Sequence, residues 1–234
     1  MKIEAVKVRR LYLDVASQIE RLIRSGEIRA GERLPAERNL ATSFGVSRPT
    51  IREAMIALEI AGLVEIRTGS GIYAVAPKGA ENQLMDDDPG PFEVLETRLL
   101  VESETAALAA SRITDQQLLE LEQALVEMER EDSEGIVTEQ ADQRFHCIIA
   151  EASSNSALES IVNWLWDLRN KSKISTLFHQ RVREGGVHPS LNEHRRIFKA
   201  LQSRDPLRAR EAMRAHIAHA IDTDIALLEL ESEK

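Results

Sequence analysis

Residues 11–75 constrain the fold more than any other part of the chain, because three helical patterns precede two short strand-like runs. Apolar residues recur at helical spacing in three segments, which are 11–25, 36–44 and 48–61. The strand-like runs are 63–66 and 72–75, and a glycine-rich turn separates them. Gly26 ends the first helical pattern, Pro35 suits the first turn of the second, and Ser47 is a plausible N-cap of the third. This order predicts a winged helix-turn-helix.

The chain after residue 91 reads as helix throughout. Apolar residues line one face of each of several segments, which are 92–111, a helix from Thr114, 137–153, 156–183, 188–203 and 206–231. Thr114 and Gln117 have the spacing of a capping box. Amphipathic helices with short connections imply a bundle. The predicted fold class is therefore mainly α: an N-terminal winged helix-turn-helix followed by a C-terminal all-α helical bundle.

The charge distribution divides the chain at the same place. The whole chain has a formal net charge of −9, but residues 1–76 carry 12 Lys and Arg against 9 Asp and Glu. Residues 77–234 carry 18 against 30, so a small basic module precedes a larger acidic one. Breaker clusters near 76–79 and 86–91 flank a stretch without periodicity. We predict a basic winged helix-turn-helix domain over 1–76, a linker over 77–90 and an all-helical domain over 91–234.

Composition excludes several other classes of protein. Aromatic residues make up only 4% of the chain, which disfavours a β-sandwich or barrel. The sequence has no apolar run near the roughly 20 residues that span a bilayer, and its first residues lack the apolar core of a secretion signal. Cys147 is the only cysteine, so neither an intrachain disulfide nor a cysteine-rich zinc module is possible. We expect a cytoplasmic protein without a membrane partner.

The third helix of the N-terminal module has the composition of a DNA-reading helix. The N-terminal end of the second helix in a helix-turn-helix points at base edges, and arginine there can contact guanine through two hydrogen bonds. Hydroxyl side chains and helix N-terminal amides can hold phosphates, and a short wing can enter a minor groove. The candidate DNA-binding residues are Arg38, Ser47, Arg48, Thr50, Arg52, Thr68 and Gly69. Each arginine taken singly would also fit an ordinary solvated surface.

The same residues resemble a known family. The segments 31–38, 44–58 and 62–73 look like the DNA-binding domain of GntR-family bacterial transcription regulators, and the match covers nearly all of 9–76. The resemblance implies operator contacts by Arg38, Arg48 and Arg52, with Gly69 of the wing close to the DNA backbone or minor groove. Double-stranded, pseudo-palindromic operator DNA is the expected partner, because a homodimer presents two equivalent reading helices.

An aspartate and three histidines are candidate metal ligands in the predicted bundle. Asp142 and His146 are four residues apart, so both project from one helical face. His194 and His216 lie on the apolar faces of later helices. One Asp and three His can converge on a divalent metal ion in a bundle. On spacing alone, core histidines with hydrogen-bond partners or an exposed pair explain the pattern at least as well.

The bundle also resembles a known domain. Segments 92–110, 141–152, 193–201 and 205–216 resemble the FCD effector domain of the FadR subfamily. In its metal-binding members, the positions of Asp142, His146, His194 and His216 are the ligands, so the resemblance implies a metal site here. His219, about one turn after His216, is the alternative fourth ligand. Zn²⁺ or Ni²⁺ suits imidazole-rich ligation.

An effector carboxylate is expected beside the metal. Arg98 matches an arginine common in the effector pocket of the family, and its alternative role is a surface pair with Glu102 four residues on. Asn155, Arg169 and His179 are further pocket candidates. Short pieces, including 165–169 and 177–179, resemble hexuronate-type sugar-acid regulators. The resemblance therefore implies a small carboxylate or sugar-acid effector.

These observations together predict a cytoplasmic, homodimeric, ligand-responsive transcription regulator without enzymatic activity. Repression relieved by the effector is the sign that the family resemblance implies. One alternative is a metalloenzyme acting on small carboxylates with an attached DNA-binding module, because Asp and His ligation with an open position can activate water. The other alternative is a constitutive DNA-binding protein with a structural metal.

Overall fold

The computed structural model describes residues 10–67, 70–77, 88–134, 139–184, 186–187 and 189–232, and no side chain beyond Asp224. Thr68 and Gly69, predicted for the wing, and residues 78–87 of the predicted linker lie outside the described residues. The chain divides into two structural units. The first unit comprises Met1–Phe92, Ser172–Phe178 and Ala226–Lys234, and the second comprises Glu93–Lys171 and His179–Ile225.

The first unit contains the predicted helix-turn-helix and hairpin. Its elements are α1 (Leu11–Ser25), α2 (Glu37–Phe44), α3 (Arg48–Ile60), β1 (Val64–Arg67) and β2 (Gly71–Ala74). The two strands are antiparallel, with Val64 opposite Ala74. The preceding segment pairs with β2, because Leu34 donates its N–H to the carbonyl of Ile72 at 2.8 Å. Both α1 and α2 pack on α3, so the core of this unit surrounds α3.

Local sequence signals set the ends of these elements. Gly45 follows α2 with a φ of +67°, a left-handed conformation that glycine adopts without steric cost and that turns the chain toward α3. Ser47 then caps α3 by accepting a hydrogen bond from the N–H of Thr50 at 3.2 Å. The α1 bounds equal the predicted ones, and the bounds of α2, α3 and both strands differ from the predicted ones by at most one residue.

The described residues after the hairpin form seven further helices and the segments that connect them. They are α4 (Pro91–Arg112), α5 (Asp115–Glu134), α6 (Gln140–Ala152), α7 (Ser156–Lys171), α8 (Lys173–Glu184), α9 (Leu191–Gln202) and α10 (Pro206–Ser232). The predicted segment 156–183 is two helices that divide at Ser172. Thr114 and Gln117 form the predicted capping box, with the Gln117 N–H 3.2 Å from the Thr114 hydroxyl. Helix α5 packs on α6 and α9, and α6 packs on α7.

The predicted mainly helical fold class is confirmed. Buried apolar residues of the second unit include Phe145, Leu165, Trp166 and Ile197. Trp164, by contrast, is 53% exposed, so the two tryptophans of α7 have different environments. Within the described part of the chain, no helix combines the length and the apolar composition needed to cross a membrane.

Candidate metal centre and DNA-binding helix

The four predicted metal ligands lie together inside the second unit. Asp142 and His146 extend from α6, His194 from α9 and His216 from α10, and all four side chains are buried. One potential ligand atom from each side chain lies within 4.8 Å of the others. The four-residue spacing on α6 places two donors on one face, and the later helices bring the other two to that face. Three helices therefore contribute to a single donor cluster.

Each imidazole ring of the cluster has an oxygen atom of another residue next to its Nδ1 atom. Nδ1 of His146 contacts the carboxylate of Glu102. Nδ1 of His194 lies 3.0 Å from the carbonyl oxygen of Ser190, and Nδ1 of His216 lies 3.1 Å from a carboxylate oxygen of Glu193. All three partners are hydrogen-bond acceptors, so each Nδ1 carries a proton. In a neutral ring, Nε2 is then the nitrogen with a lone pair that can bind a metal. Outer acceptors of this kind orient metal-bound histidines.

The inner atoms of the cluster fit a divalent cation. Nε2 of His146 is buried and has no hydrogen-bond partner among the described residues. Nε2 of His194 lies 2.8 Å from Oδ1 of Asp142 although its Nδ1 already donates to a carbonyl oxygen. In a neutral ring, this geometry points a lone pair at a carboxylate oxygen, an arrangement that a cation bound to both atoms would satisfy. Imidazole and carboxylate donors are those that Zn²⁺ and Ni²⁺ prefer.

Electrostatics within the cluster favour ionised Asp142 and a neutral His216. Burial opposes ionisation of Asp142, but the neighbouring His146 and His194 outweigh it and lower the pKa of Asp142 well below its usual value. Burial and the neighbouring His194 lower the pKa of His216 to about 4. Burial also opposes a charge on His146, but Glu102 and Asp142 raise its pKa. At neutral pH, His216 therefore offers an unprotonated nitrogen.

His216 rather than its neighbour His219 occupies the cluster. The side chain of His219 is 61% exposed and lies 4.0 Å from the carboxylate of Glu193. It lines the mouth of an adjoining cavity, whereas the side chain of His216 is 9% exposed. His219 lies three positions after His216 on α10, at the exposed edge of the same helical face.

A cavity of about 100 Å³ adjoins the cluster in the second unit. Asp142 and His216 form part of its wall, so the donor cluster faces this space directly. The other charged groups of the wall are Arg98, Glu139, Arg169, Glu193 and Asp224. Four carboxylates therefore face two guanidiniums. An anion would be repelled from this wall unless a cation balanced the excess of acidic groups.

Arg98 and Arg169 lie against the ring of Trp166. The guanidinium carbon of Arg98 is 4.1 Å from the ring centroid, and that of Arg169 is 5.1 Å from it. Nε of Arg98 donates to Glu102 at 2.6 Å, so the pair considered as a surface alternative exists but is buried. Glu102 thereby joins Arg98 to His146. The Arg98–Glu102 spacing was visible in the sequence, whereas the Glu102–His146 contact had no local signal.

The other effector candidates have different positions. Arg169 pairs with Glu139 in the cavity wall, and burial lowers its pKa to about 10, so it remains charged at neutral pH. His179 lies in the same wall, where burial and nearby Arg169 lower its pKa well below the usual value. Asn155 does not line the cavity. Its side-chain oxygen accepts from the N–H of Ala157 at 3.1 Å and caps α7, a local role that asparagine commonly takes.

Four of the predicted DNA-binding residues lie on α2 or at the start of α3. Arg38 and Ser47 are exposed, and Arg48 and Thr50 are half-buried. Ser47 and Thr50 also share a hydrogen bond of 2.7 Å between their hydroxyl groups. Ser47, Arg48 and Thr50 lie at the N-terminal end of α3, the helix that enters the major groove in helix-turn-helix proteins, whereas Arg38 lies on α2.

Arg52 differs from the other predicted DNA contacts because it is only 2% exposed. Its Nε donates to a carboxylate oxygen of Glu37 at 2.8 Å, which ties α3 to α2. A base contact by Arg52 would require this ion pair to open. No sequence pattern indicated the pairing, since Glu37 lies 15 positions away on another helix.

Comparison with known proteins identifies the family. The model "Bacterial regulatory proteins, gntR family" matches residues 11–74, and the FCD domain model matches residues 93–219. The chain belongs to the GntR family. It is a DNA-binding transcription regulator with an N-terminal GntR domain and a C-terminal FCD domain.

Two curated relatives extend over nearly the whole chain. The Exu regulon transcriptional regulator of Escherichia coli K12 is 37% identical over 223 residues, covering 92% of this chain and 84% of the relative. The Uxu operon transcriptional regulator of the same organism is 37% identical over 221 residues, covering 91% and 86%. A crystal structure of a GntR family member from Pseudomonas syringae shares the fold, with 21% identity, a TM-score of 0.51, and coverage of 94% and 86%. These regulators give no support to the metalloenzyme alternative.

Proposed function

We propose that this GntR-family protein regulates sugar-acid metabolism genes, as a repressor that a hexuronate-like effector releases from its operator. A homodimer would bind a pseudo-palindromic site through the starts of its two α3 helices. The similarity to regulators named for the Exu and Uxu genes supports this effector class. Because the operator lies in chromosomal DNA, we infer a cytoplasmic location.

The observation that carries the proposal is the shared wall between the donor cluster and the cavity. Asp142 and His216 belong to both, so a ligand in the cavity contacts the cluster directly. Asp142, His146, His194 and His216 would hold the divalent ion, which supplies positive charge and open coordination positions for a carboxylate. Zinc and nickel both suit this donor set.

Arg98 and Arg169, which line the same cavity, also bind the effector in this proposal. Each already pairs with a carboxylate of the protein, Glu102 for Arg98 and Glu139 for Arg169. A guanidinium has five N–H donors, so each arginine keeps donors for a second acceptor. Trp166 supports both guanidiniums on its ring and restricts their movement. The two cations are therefore positioned before an effector arrives.

Contacts inside the first unit suggest how the DNA-binding helix responds. Glu53 of α3 accepts the N–H of Phe92 at 3.0 Å, and the ring of Phe92 packs edge-on against Phe178 of α8 at 5.1 Å. His179, the next residue of α8, lines the cavity. A ligand that favours one position of α8 would thereby favour one position of α3. Such a ligand shifts DNA affinity only as far as its own affinity differs between the two arrangements.

The test measures DNA affinity as a function of effector and metal. An operator is first selected from a random duplex library, and its affinity for the full-length protein is followed by fluorescence anisotropy. We expect D-galacturonate or D-glucuronate to weaken operator binding by at least about fivefold, the low end of measured allosteric couplings. Treatment with a chelator should abolish that response, because the acidic groups of the cavity then repel the acid.

Two results would overturn the proposal. Operator affinity that no sugar acid changes in the metal-loaded protein would favour a constitutive DNA-binding protein with a structural metal. A response that persists unchanged after the metal has been removed would separate the effector site from the donor cluster.

A further inference from the structure

Asp224 is a buried acid of the cavity wall that the proposed function leaves without a role. It lies on α10, eight residues and about two turns after His216, and it is 5% exposed. Among the described residues, it makes neither a hydrogen bond nor an ion pair. Burial raises its pKa to about 7, although Arg169 and Arg98 oppose that shift. An unpartnered carboxyl group in such a place is costly for the folded protein.

The other acids of the wall already have partners. Asp142 contacts His194 at 2.8 Å, Glu193 accepts from His216 at 3.1 Å, and Glu139 pairs with Arg169 and Arg183. Asp224 is thus the acid whose oxygen atoms remain for a molecule in the cavity. Thr223, the preceding residue, lines the same space with a hydroxyl group. This part of the cavity wall is therefore polar.

The hydrogen-bonding oxygen atoms of Asp224 determine which chemical group it can receive. A carboxylate of the effector is better matched to the guanidiniums of Arg98 and Arg169 and to a metal ion in the donor cluster. A hydroxyl group is suitable, because it donates a hydrogen bond to a carboxylate oxygen and carries no charge. Asp224 and the arginines line one cavity, so a single small molecule can contact the arginines through an acid and Asp224 through hydroxyl groups.

We propose that Asp224 determines effector specificity by accepting hydrogen bonds from effector hydroxyl groups, so that the site takes a polyhydroxylated carboxylic acid. This inference rests on the proposed function and names the residue that distinguishes a sugar acid from a plain carboxylate. A ligand without hydroxyl groups leaves Asp224 buried and unpaired, and sites with such polar groups reject ligands that lack the matching donor.

The experiment compares two probes that share a ring and an acid. D-galacturonate has a six-membered ring form with hydroxyl groups, and tetrahydropyran-2-carboxylate has the same ring oxygen and carboxylate without them. Binding to the metal-loaded, full-length protein is measured by calorimetry. We expect the wild-type protein to bind D-galacturonate at least about tenfold more tightly. In Asp224→Ala, affinity for D-galacturonate should fall by at least about tenfold, and affinity for tetrahydropyran-2-carboxylate should stay within about twofold.

Thermal unfolding supplies a second readout that a structural role would not produce. Removal of an unpaired buried acid should raise the melting temperature of the ligand-free protein while reducing the shift that D-galacturonate causes. Asp224→Asn keeps the shape of the side chain and removes its charge, so it should show the same selective loss to a smaller extent. Asp222→Ala is the matched control, because Asp222 is exposed on the same helix. This variant should bind both probes with the affinities of the wild-type protein.

The outcomes separate this inference from the proposed function. Equal affinity of the wild-type protein for both probes would overturn the role of Asp224 and leave a carboxylate-responsive regulator. An equal loss of both affinities in Asp224→Ala and Asp224→Asn would reduce the residue to a structural one. If the metal-loaded wild-type protein binds neither these probes nor D-glucuronate, the sugar-acid function itself fails.

Discussion

Glu102 and His146 form a buried carboxylate–imidazole pair that joins α4 to the donor cluster on α6. The carboxylate contacts Nδ1 of His146 with one oxygen and accepts Nε of Arg98 at 2.6 Å with the other. Burial opposes ionisation of Glu102, but Arg98 and His146 outweigh it and lower its pKa to about 2. Glu102 is therefore an ionised partner that orients His146 and leaves its Nε2 directed toward the cluster.

Replacing Glu102 should weaken metal binding although Glu102 is not itself a ligand in this arrangement. We expect Glu102→Gln to lower metal affinity by about 10–100-fold, because the outer carboxylate both orients the ring and increases its basicity. Competition with a chromophoric chelator measures the change. Glu104→Gln is the control, since Glu104 is exposed on the same helix and pairs with Arg210 at 2.8 Å. Unchanged affinity in Glu102→Gln would show that the pair has no influence on the metal site.

The donor cluster itself is tested by removing two ligands from different helices. His146→Ala combined with His194→Ala should abolish stoichiometric zinc or nickel, because two remaining donors cannot retain the ion against buffer. Elemental analysis of the dialysed protein gives the metal content. His219→Ala should keep the metal content of the wild-type protein, because the side chain of His219 is 61% exposed and lies outside the donor cluster. Metal retained by the double variant would place the binding site elsewhere.

Arg48 should contribute to sequence-specific DNA binding. We expect Arg48→Ala to lower affinity for the selected operator by about 1–3 kcal/mol, the contribution of a two-hydrogen-bond contact to guanine, with little effect on random duplex DNA. Anisotropy at fixed salt with both duplexes measures the difference. Arg24→Ala provides a control of equal charge change on α1, where Arg24 pairs with Glu20. Equal losses on both duplexes would indicate a phosphate contact instead.

Arg52 should be important for stability even before any DNA is bound. Arg52→Ala leaves the buried carboxylate of Glu37 without its partner at 2.8 Å, so we expect the free energy of unfolding to fall by about 3–5 kcal/mol. Urea denaturation followed by circular dichroism measures it. Combining Arg52→Ala with Glu37→Ala should restore part of the lost free energy of unfolding, because it removes the unpaired buried carboxylate. A stability equal to that of the wild-type protein would show that the pair contributes nothing to the folded state.

The raised pKa of Asp224 predicts a specific pH dependence of stability. Between about pH 4 and pH 7, the folded protein holds a proton on Asp224 that the unfolded chain has released, so wild-type stability falls as pH rises through this window. Asp224→Asn lacks this contribution. Its advantage over the wild-type protein should therefore grow between pH 4.5 and pH 8, by on the order of 3 kcal/mol at about 1.4 kcal/mol per pKa unit.

Chemical denaturation of both proteins at each pH measures this difference, and the other titrating groups cancel in the comparison. Asp222→Asn should follow the wild-type protein at every pH, because Asp222 is exposed. A constant difference between Asp224→Asn and the wild-type protein would exclude a titration of Asp224 in this range.

Local signals predicted most of the secondary structure. The α1 bounds Leu11–Ser25 follow from apolar spacing and Gly26, and the Ser47 cap follows from residue type. Such features depend on neighbours within one or two turns. The convergence of His194 and His216 on α6 depends on how helices pack, so spacing alone left it open and only the family resemblance indicated it.

The missed features are contacts between residues distant in the sequence. Glu102 lies 44 positions from His146, and Arg52 lies 15 positions from Glu37, so neither pair creates a local pattern. Asp224 makes no hydrogen bond or ion pair among the described residues, so no sequence pattern pointed to it. Asn155 did carry a usable signal, because an asparagine directly before a helical segment is typical of an N-cap.

The position of Trp166 gives the protein an intrinsic optical reporter. Its indole is enclosed by Arg98 and Arg169 and lies 5.3 Å from the His146 ring, whereas the only other tryptophan, Trp164, is 53% exposed. Iodide in the solvent quenches emission from an exposed indole and spares an enclosed one. The remaining emission comes from Trp166 and would report occupancy of the donor cluster and its cavity. The signal needs no label and can be followed while the protein leaves its operator.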